Sequence, residues 1–161
     1  MLLTTIVSAI SWSVIPFVKI EIGVPTVCGL HYSSKDPYIE LKLEKFVSRK
    51  KEVLTSLSVK SPYVLNTKSV YLKTRNLQTN NFLVKQSTIK DQFIAIGDLQ
   101  NKEEGGLIFY ELALFGGELI LEGLSDAKTF KLPDRLPRDI SSAYLNCAGD
   151  LIRPDNEIKK L

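Results

Sequence analysis

Histidine and cysteine are scarce in this chain of 161 residues, which contains one histidine, His31, and two cysteines, Cys28 and Cys147. A zinc site of the usual kind would have to use all three and add a carboxylate. Cys28 and His31 lie close together in sequence, but Cys147 has no second ligand nearby. The sequence therefore predicts no metal site.

The motifs of the common enzyme classes are also missing. The chain contains no GxSxG, HExxH or CxxC sequence, and no glycine-rich loop between a strand and a helix that would hold a phosphate. A lone histidine in a predicted loop, such as His31, is more often structural or solvated than a general base. Glu111 and Glu122 face each other across a predicted ladder, but directly opposed carboxylates lie closer than glycoside hydrolysis requires. We therefore expect a protein without enzymatic activity and without a cofactor.

The low cysteine content excludes a dense disulfide scaffold, because such scaffolds contain far more cysteine. Free cysteine is commonly buried in protein cores. The sequence thus favours two buried thiols, with a Cys28–Cys147 disulfide as the alternative. The redox compartment stays open for the same reason, with an intracellular location slightly favoured.

The longest stretch without charge, residues 2–18, is short and polar for a membrane helix. It has 17 residues, including several hydroxyl side chains, whereas a transmembrane helix needs about 20 strongly apolar residues. A secretory signal peptide would have a basic residue before the apolar run, and this chain has none there. Ile10, Trp12 and Val14 alternate with serines, which predicts a strand within the domain. An N-terminal membrane anchor is the alternative.

Alternating apolar and polar residues predict β-strands along much of the chain. The alternation is cleanest in residues 38–47, where Ile39, Leu41 and Leu43 alternate with charged residues. Turn residues predict a loop over residues 28–37. Similar alternation predicts strands over residues 17–24, 52–60, 69–73, 82–85 and 93–96. We therefore expect an all-β fold, an antiparallel sandwich or barrel of about nine or ten short strands.

A glycine pair, Gly116-Gly117, predicts a β-hairpin over residues 105–124. Glycine adopts the positive φ values of a type I′ turn without steric cost. A helix over residues 107–115 is the alternative, but its length is short and Phe109 and Tyr110 fit it poorly. The outer face of the hairpin would combine apolar and acidic side chains as an interface, formed by Phe109, Glu111, Phe115, Ile120 and Glu122.

The end of the chain predicts one short helix. Asp139 is a suitable N-cap residue, and Gly149 is a suitable residue to end the helix. We expect one β-rich domain over residues 1–152, followed by a polar tail over residues 153–161.

Charge is divided unevenly along the chain. Residues 42–90 contain 11 basic and 2 acidic side chains, whereas residues 91–126 contain 8 acidic and 1 basic. Such asymmetry concerns the choice of partner rather than the fold. The basic residues predicted to bind a polyanion or to form an interface are Arg49, Lys50, Lys51, Lys68, Lys73 and Arg75.

These charges favour a non-enzymatic assembly protein, in which basic and acidic surfaces of neighbouring copies meet head to tail. Such a protein would bind itself or another protein. Small viral matrix proteins combine self-association with a basic surface in this way, which is a likeness of behaviour and not of sequence. An equally simple interpretation is that the two charge blocks pair within one sheet.

Two further functions are compatible with the sequence. A polyanion-binding module would use the basic residues between 42 and 90 to bind nucleic acid or an anionic membrane surface. A weaker alternative is a β-barrel that carries an apolar small molecule.

Overall fold

The computed structural model describes residues 3–7, 10–79, 82–83, 92–95 and 102–151, and it is mostly β. In chain order the elements are β1 (Leu3–Val7), β2 (Ser13–Glu21), β3 (Val24–Lys35), β4 (Tyr38–Val47), β5 (Val53–Lys60), a 3₁₀ helix (Pro62–Asn66), β6 (Ser69–Lys73), β7 (Phe82–Leu83), β8 (Gln92–Ala95), α1 (Lys102–Phe115), β9 (Glu118–Glu122), β10 (Asp126–Lys131) and α2 (Arg138–Leu151). The strands belong to two sheets.

The first sheet, which we refer to as the meander sheet, has the strand order β2-β3-β4-β5-β8. Each strand pairs antiparallel with its neighbour. Its first four strands follow one another in sequence, so short turns connect them. Ile39, Leu41 and Leu43 of β4 are fully buried, and Lys42 between them is exposed. The alternation that predicted this strand is thus confirmed.

The second sheet, the mixed sheet, has the strand order β1-β10-β9-β6-β7. β1 runs parallel to β10, and the other neighbouring pairs are antiparallel. Its members come from distant parts of the chain, so its pairing depends on contacts that local sequence patterns do not encode.

The predicted fold class is confirmed in its coarse part, since the molecule is mostly β. Among the described residues, the main antiparallel parts of the two sheets consist of four and three strands, seven where nine or ten were expected. The edge strands β1, β7 and β8 extend the sheets to five strands each. The described residues also include two α-helices of 14 residues each, where the sequence predicted one short helix.

Both sheets contribute to one hydrophobic core. Its fully buried side chains include Leu30 and Leu43 from the meander sheet and Leu72, Leu119 and Phe130 from the mixed sheet. α2 packs on β2 and β3, and α1 contacts β5 and α2. The helices therefore cover the same face of the meander sheet that carries its buried side chains.

The predicted hairpin over residues 105–124 is wrong, because its first half is α1. Ile108 and Leu112 are both 1% exposed and stand four residues apart, which places them on one face of a helix. The amide of Gly116 donates to the carbonyl of Leu112 at 3.1 Å, and Gly116 has a φ of 74°. The glycine thus ends a helix as a left-handed cap residue instead of turning a hairpin.

The predicted C-terminal helix is present as α2. It begins at Arg138, one residue before the predicted cap, so Asp139 lies in the first turn. A carboxylate is favourable there because the helix dipole is positive at its N-terminus. The helix continues past Gly149 to Leu151, and Tyr144 and Ala148 are buried beneath it. Gly149 is therefore not the stop that the sequence predicted.

The two cysteines form a disulfide, so the prediction of free thiols is wrong. Cys28 of β3 and Cys147 of α2 have their Cα atoms 5.8 Å apart and are joined across 119 residues of sequence. Cys28 is fully buried beneath the helix. The bond ties α2 to the middle of the meander sheet.

The uncharged stretch at the N-terminus is divided between the two sheets. β1 is an edge strand of the mixed sheet, whereas β2 is an edge strand of the meander sheet. Between them, the indole N–H of Trp12 donates to the carbonyl of Lys131 at 2.8 Å. Across the described ranges, neither helix has the length and apolar character to cross a membrane.

The predicted loop over residues 28–37 is also wrong, because most of it belongs to β3. The turn is confined to Asp36 and Pro37. His31 and Ser33 are half-buried and alternate with the buried Leu30, Tyr32 and Ser34, so the polar residues of this segment belong to a strand with one buried face. The predicted tail, residues 153–161, and parts of the predicted strands 82–85 and 93–96 lie outside the described residues.

Candidate functional site

Two connections of the meander sheet lie side by side at one of its ends. Antiparallel strands reverse direction at each turn, so the β2–β3 and β4–β5 connections are on the same end. Val27 of β3 pairs with Lys19 of β2 on one side and with Phe46 of β4 on the other. We refer to residues 18–24 and 48–52 together as the loop end.

The β4–β5 turn is closed by Ser48. Its amide donates to the carbonyl of Glu52 at 2.8 Å. Its hydroxyl accepts hydrogen bonds from the amides of Lys50 and Glu52, each at 3.2 Å. These bonds fix a tight turn whose tip residues, Arg49 to Lys51, are exposed. Three predicted basic residues are thus presented together on an ordered turn.

The β2–β3 connection is a two-residue turn formed by Ile22 and Gly23, with φ values of 52° and 75°. Positive φ at both central positions is the geometry of a type I′ turn. Glycine adopts it readily, but a β-branched residue such as isoleucine rarely does. The Ile22 side chain is 102% exposed, so it makes no compensating contact in the core.

Further aliphatic side chains surround Ile22. Val18, Ile20 and Val24 are 52%, 60% and 55% exposed. A β-bulge between Lys19 and Ile20 shifts the register of β2 against β3, and the hydroxyl of Thr26 donates to the Lys19 carbonyl at 3.3 Å. The end of this hairpin is consequently an exposed aliphatic surface.

The charged residues of this hairpin neutralise each other. Lys19 Nζ lies 2.7 Å from a Glu21 carboxylate oxygen. The hydrogen bond to Glu21 and the charge of its carboxylate raise the pKa of Lys19 above its ordinary value. Net positive charge at the loop end therefore comes from the β4–β5 turn, where Arg49, Lys50 and Lys51 exceed Glu52.

An open groove of about 580 Å³ separates the hairpin from the turn. Val27, Phe46 and Val47 contribute apolar surface to it, while Arg49 and Ser48 stand on the side of the turn. Glu44, which also lines the groove, is bound by Lys42 at 2.8 Å and by the Ser56 hydroxyl at 3.3 Å. On the side of the turn, the positively charged residue that lines the groove is Arg49.

The other predicted basic residues lie elsewhere. Lys68, Lys73 and Arg75 flank or end β6 in the mixed sheet. β5 leads away from the basic turn for eight residues, about 26 Å at 3.3 Å per residue, before the 3₁₀ helix and Lys68. The six predicted basic residues thus form two separate groups and not one track.

The predicted apolar and acidic interface is not a continuous surface. Phe109 and Ile120 are 3% and 4% exposed and belong to the core, whereas Phe115 is 57% exposed. Phe109 is buried because its segment is a helix rather than the outer face of a hairpin. Glu111 and Glu122 are part-buried on different elements.

Acidic residues of the mixed sheet stand beside basic ones. Glu118 of β9 pairs in register with Lys73 of β6 and with Lys131 of β10. Lys73 of the basic block and Glu118 of the acidic block thus lie on neighbouring strands of this sheet. Glu122 of the acidic block is opposite Ser69 and Ala127 instead.

Glu111 links α1 to the turn after β6. Its carboxylate accepts hydrogen bonds from the hydroxyl of Thr74 and from the side-chain amide of Asn76, the latter at 3.0 Å. The Thr74 hydrogen bond, with a smaller contribution from Asn76, lowers the pKa of Glu111 below its ordinary value despite partial burial. This carboxylate holds two elements together.

His31 lies in β3 and not in a loop. Its Nε2 is 3.7 Å from a carboxylate oxygen of Glu40 on the neighbouring strand, which is an ordinary cross-strand contact. In the part of the chain with described coordinates, no three histidine, cysteine, aspartate or glutamate side chains are grouped as metal ligands would be.

Sequence reasoning found the basic turn but missed the aliphatic hairpin beside it. The available signal was Ile22-Gly23 between two alternating strands, but type I′ turns favour asparagine or glycine at the first position. No protein-family model, curated protein or solved structure matches this chain. We therefore base the proposed function on the geometry and charge of the loop end.

Proposed function

We propose that this chain is a non-enzymatic binding module that docks on a polyanionic surface through its loop end. The main support is the ordered β4–β5 turn, in which Ser48 holds three exposed basic residues together. Clustered cations attract phosphate-bearing surfaces, and each contact releases counterions. The groove beside Arg49 adds a concave surface with apolar walls.

We also interpret the two sheets as the layers of a β-sandwich. Leu43 of the meander sheet and Phe130 of the mixed sheet belong to one core cluster. Within the described strands, no ladder joins the two sheets, as the closure of a barrel would require. Two sheets without a closing ladder give no support to a barrel that carries a small molecule.

The test measures binding of the full-length protein to heparin, to an oligonucleotide and to anionic vesicles over a range of salt concentrations. The double variant R49S/K50S should weaken binding about fivefold for each charge removed, and it should reduce the salt dependence. The variant K35S/R135S removes the same charge from exposed positions outside the loop end, and it should bind like the wild type.

Two results contradict this proposal. Binding that does not change with salt would exclude an electrostatic interface. Loss of binding in K68S/R75S, with R49S/K50S unaffected, would move the interface to the mixed sheet.

Self-association is the second candidate, and one observation favours it. β2 is an edge strand with exposed Ile15, Val18 and Ile20, and exposed apolar edge strands are templates for pairing with another chain. Pro16 counts against a long pairing because it lacks an amide hydrogen. Molecular mass measured by light scattering at low salt and rising concentration tests this candidate, and a constant monomer mass excludes it.

A further inference from the structure

We infer that the loop end is a membrane anchor, in which Ile22 enters the acyl region of an anionic bilayer while Arg49 and Lys50 contact lipid headgroups. This inference rests on the proposed function and adds the identity of the polyanionic surface. The occupant of the loop end is then a lipid bilayer rather than a nucleic acid or a soluble polyanion.

Ile22 has an unusual backbone conformation. A β-branched residue with a φ of 52° adopts a backbone geometry that glycine or asparagine adopts more readily. Its complete exposure means that the fold gains no packing from it. Strained conformations that the fold itself does not need are found mainly at functional sites.

The exposed surface of the hairpin is aliphatic and carries no net charge. Ile20, Ile22 and Val24 form an aliphatic tip, and each is more than half exposed. The adjacent Lys19 and Glu21 form an ion pair, so the hairpin itself carries no net charge. Aliphatic side chains enter hydrocarbon favourably but do not stack on bases, which single-stranded nucleic acid sites achieve with aromatic side chains.

The aliphatic tip and the basic turn lie at the same end of the meander sheet. Lys19, Val27 and Phe46 lie at one level of the sheet because they pair in register. From this level, Ile22 and Arg49 each follow three residues later in the chain, in the turns that end β2 and β4. The aliphatic tip and the cations therefore reach the same end together, as a bilayer interface with anionic headgroups requires.

The aliphatic tip and the basic turn are both needed, because neither alone suffices for stable attachment to a membrane. A single apolar group gives only weak and reversible membrane binding, and a second signal such as a basic patch is needed. The groove between hairpin and turn is lined by Arg49 and also by the carboxylates of Glu21 and Glu44, which form ion pairs with Lys19 and Lys42. Arg49 is thus the groove residue that would contact a headgroup phosphate.

The experiment compares flotation of the full-length, disulfide-bonded protein with phosphatidylcholine vesicles, with and without phosphatidylserine, at low and high salt. The wild type should bind only vesicles that contain phosphatidylserine. I22N should bind these vesicles at least about tenfold more weakly, because asparagine suits the turn but does not enter hydrocarbon. I15N removes an isoleucine of β2 that is 58% exposed and lies away from the tip, and it should bind like the wild type.

A direct measurement of insertion accompanies flotation. In I22W, brominated phospholipids should quench the added tryptophan, while Trp12 in the wild type should show little quenching. Heat denaturation of I22N and I15N establishes that both variants are folded.

The outcomes separate this inference from the proposed function. If I22N binds phosphatidylserine vesicles as tightly as the wild type while R49S/K50S does not, insertion is wrong and polyanion docking stands. If the wild type binds heparin or an oligonucleotide but no vesicles, the membrane anchor is again wrong and docking stands. If it binds none of these probes, both are wrong.

Discussion

Tyr32 and Ser61 are buried polar residues whose hydroxyl groups have opposite environments. Tyr32 is 1% exposed, and among the described residues its hydroxyl has no hydrogen-bond partner. Ser61 is fully buried, but its hydroxyl donates to the carbonyl of Tyr38 at 2.9 Å and accepts from the amide of Tyr63 at 3.4 Å. Burial also raises the pKa of Tyr32, so this hydroxyl stays neutral.

These environments predict opposite effects of removing the two hydroxyls. Tyr32→Phe should leave the free energy of unfolding unchanged or raise it by up to about 1 kcal/mol, because an unsatisfied buried group costs stability. Ser61→Ala should lower it by about 1–2 kcal/mol, because the variant leaves the Tyr38 carbonyl and the Tyr63 amide without their partner. Urea denaturation of both variants checks this, and a destabilised Tyr32→Phe would indicate a partner for the hydroxyl.

At the scale of elements, Glu111 joins α1 to the turn at residues 74–77 through hydrogen bonds from Thr74 and Asn76. Since its pKa is lowered in the fold, ionised Glu111 stabilises the folded state at pH values above the ordinary carboxyl pKa. This contribution is lost as the pH falls through the lowered pKa of the folded state.

Glu111→Gln should therefore lower stability by about 1 kcal/mol at neutral pH, and the difference from the wild type should shrink below about pH 4. The measurement is urea denaturation at a series of pH values. Asp134→Asn is the control, since the Asp134 side chain is 79% exposed in its contact with Lys131, and exposed pairs of this kind contribute little. A difference between Glu111→Gln and the wild type that does not vary with pH would contradict the assignment.

Sequence patterns predicted those elements in which apolar residues recur at regular intervals and form one buried face. β4 has a solvated face and a buried face, so alternation located it correctly, and α2 has a polar face and a buried face around Tyr144. α1 was missed because apolar residues occur on several of its sides: Leu107 and Phe115 are exposed, while Ile108 and Leu112 are buried. The apolar residues of such a segment follow neither the 3.6-residue period of a helix nor the two-residue period of a strand.

The candidate site could be predicted only in part for a related reason. The Arg49 to Lys51 cluster is local in sequence and remains local in the fold. Its position beside Ile22 depends on the reversal of β2, β3 and β4, and the unusual conformation of Ile22 has no sequence signature. Two residues of the predicted apolar and acidic interface, Phe109 and Ile120, are buried, and the burial of Phe109 follows from the helical conformation of its segment.

In the molecule as a whole, the disulfide between Cys28 and Cys147 joins β3, in the first part of the chain, to α2, in its last part. The same bond restricts the unfolded chain across 119 residues, and long loops give the larger stabilisation in the chain-entropy model.

Cys28→Ala/Cys147→Ala should therefore lower the free energy of unfolding by about 2–5 kcal/mol. Guanidinium denaturation of the wild type, with and without reductant, provides the comparison, and the reduced wild type should resemble the double variant. Equal stability of the oxidised and reduced proteins would show that the bond contributes nothing to the fold.

The position of this bond has a practical outcome for handling the protein. A protease that cuts the backbone once, anywhere between Cys28 and Cys147, leaves two pieces that remain covalently joined. A nicked sample migrates as one band on a denaturing gel until a thiol is added, so purity judged without reduction will conceal the damage.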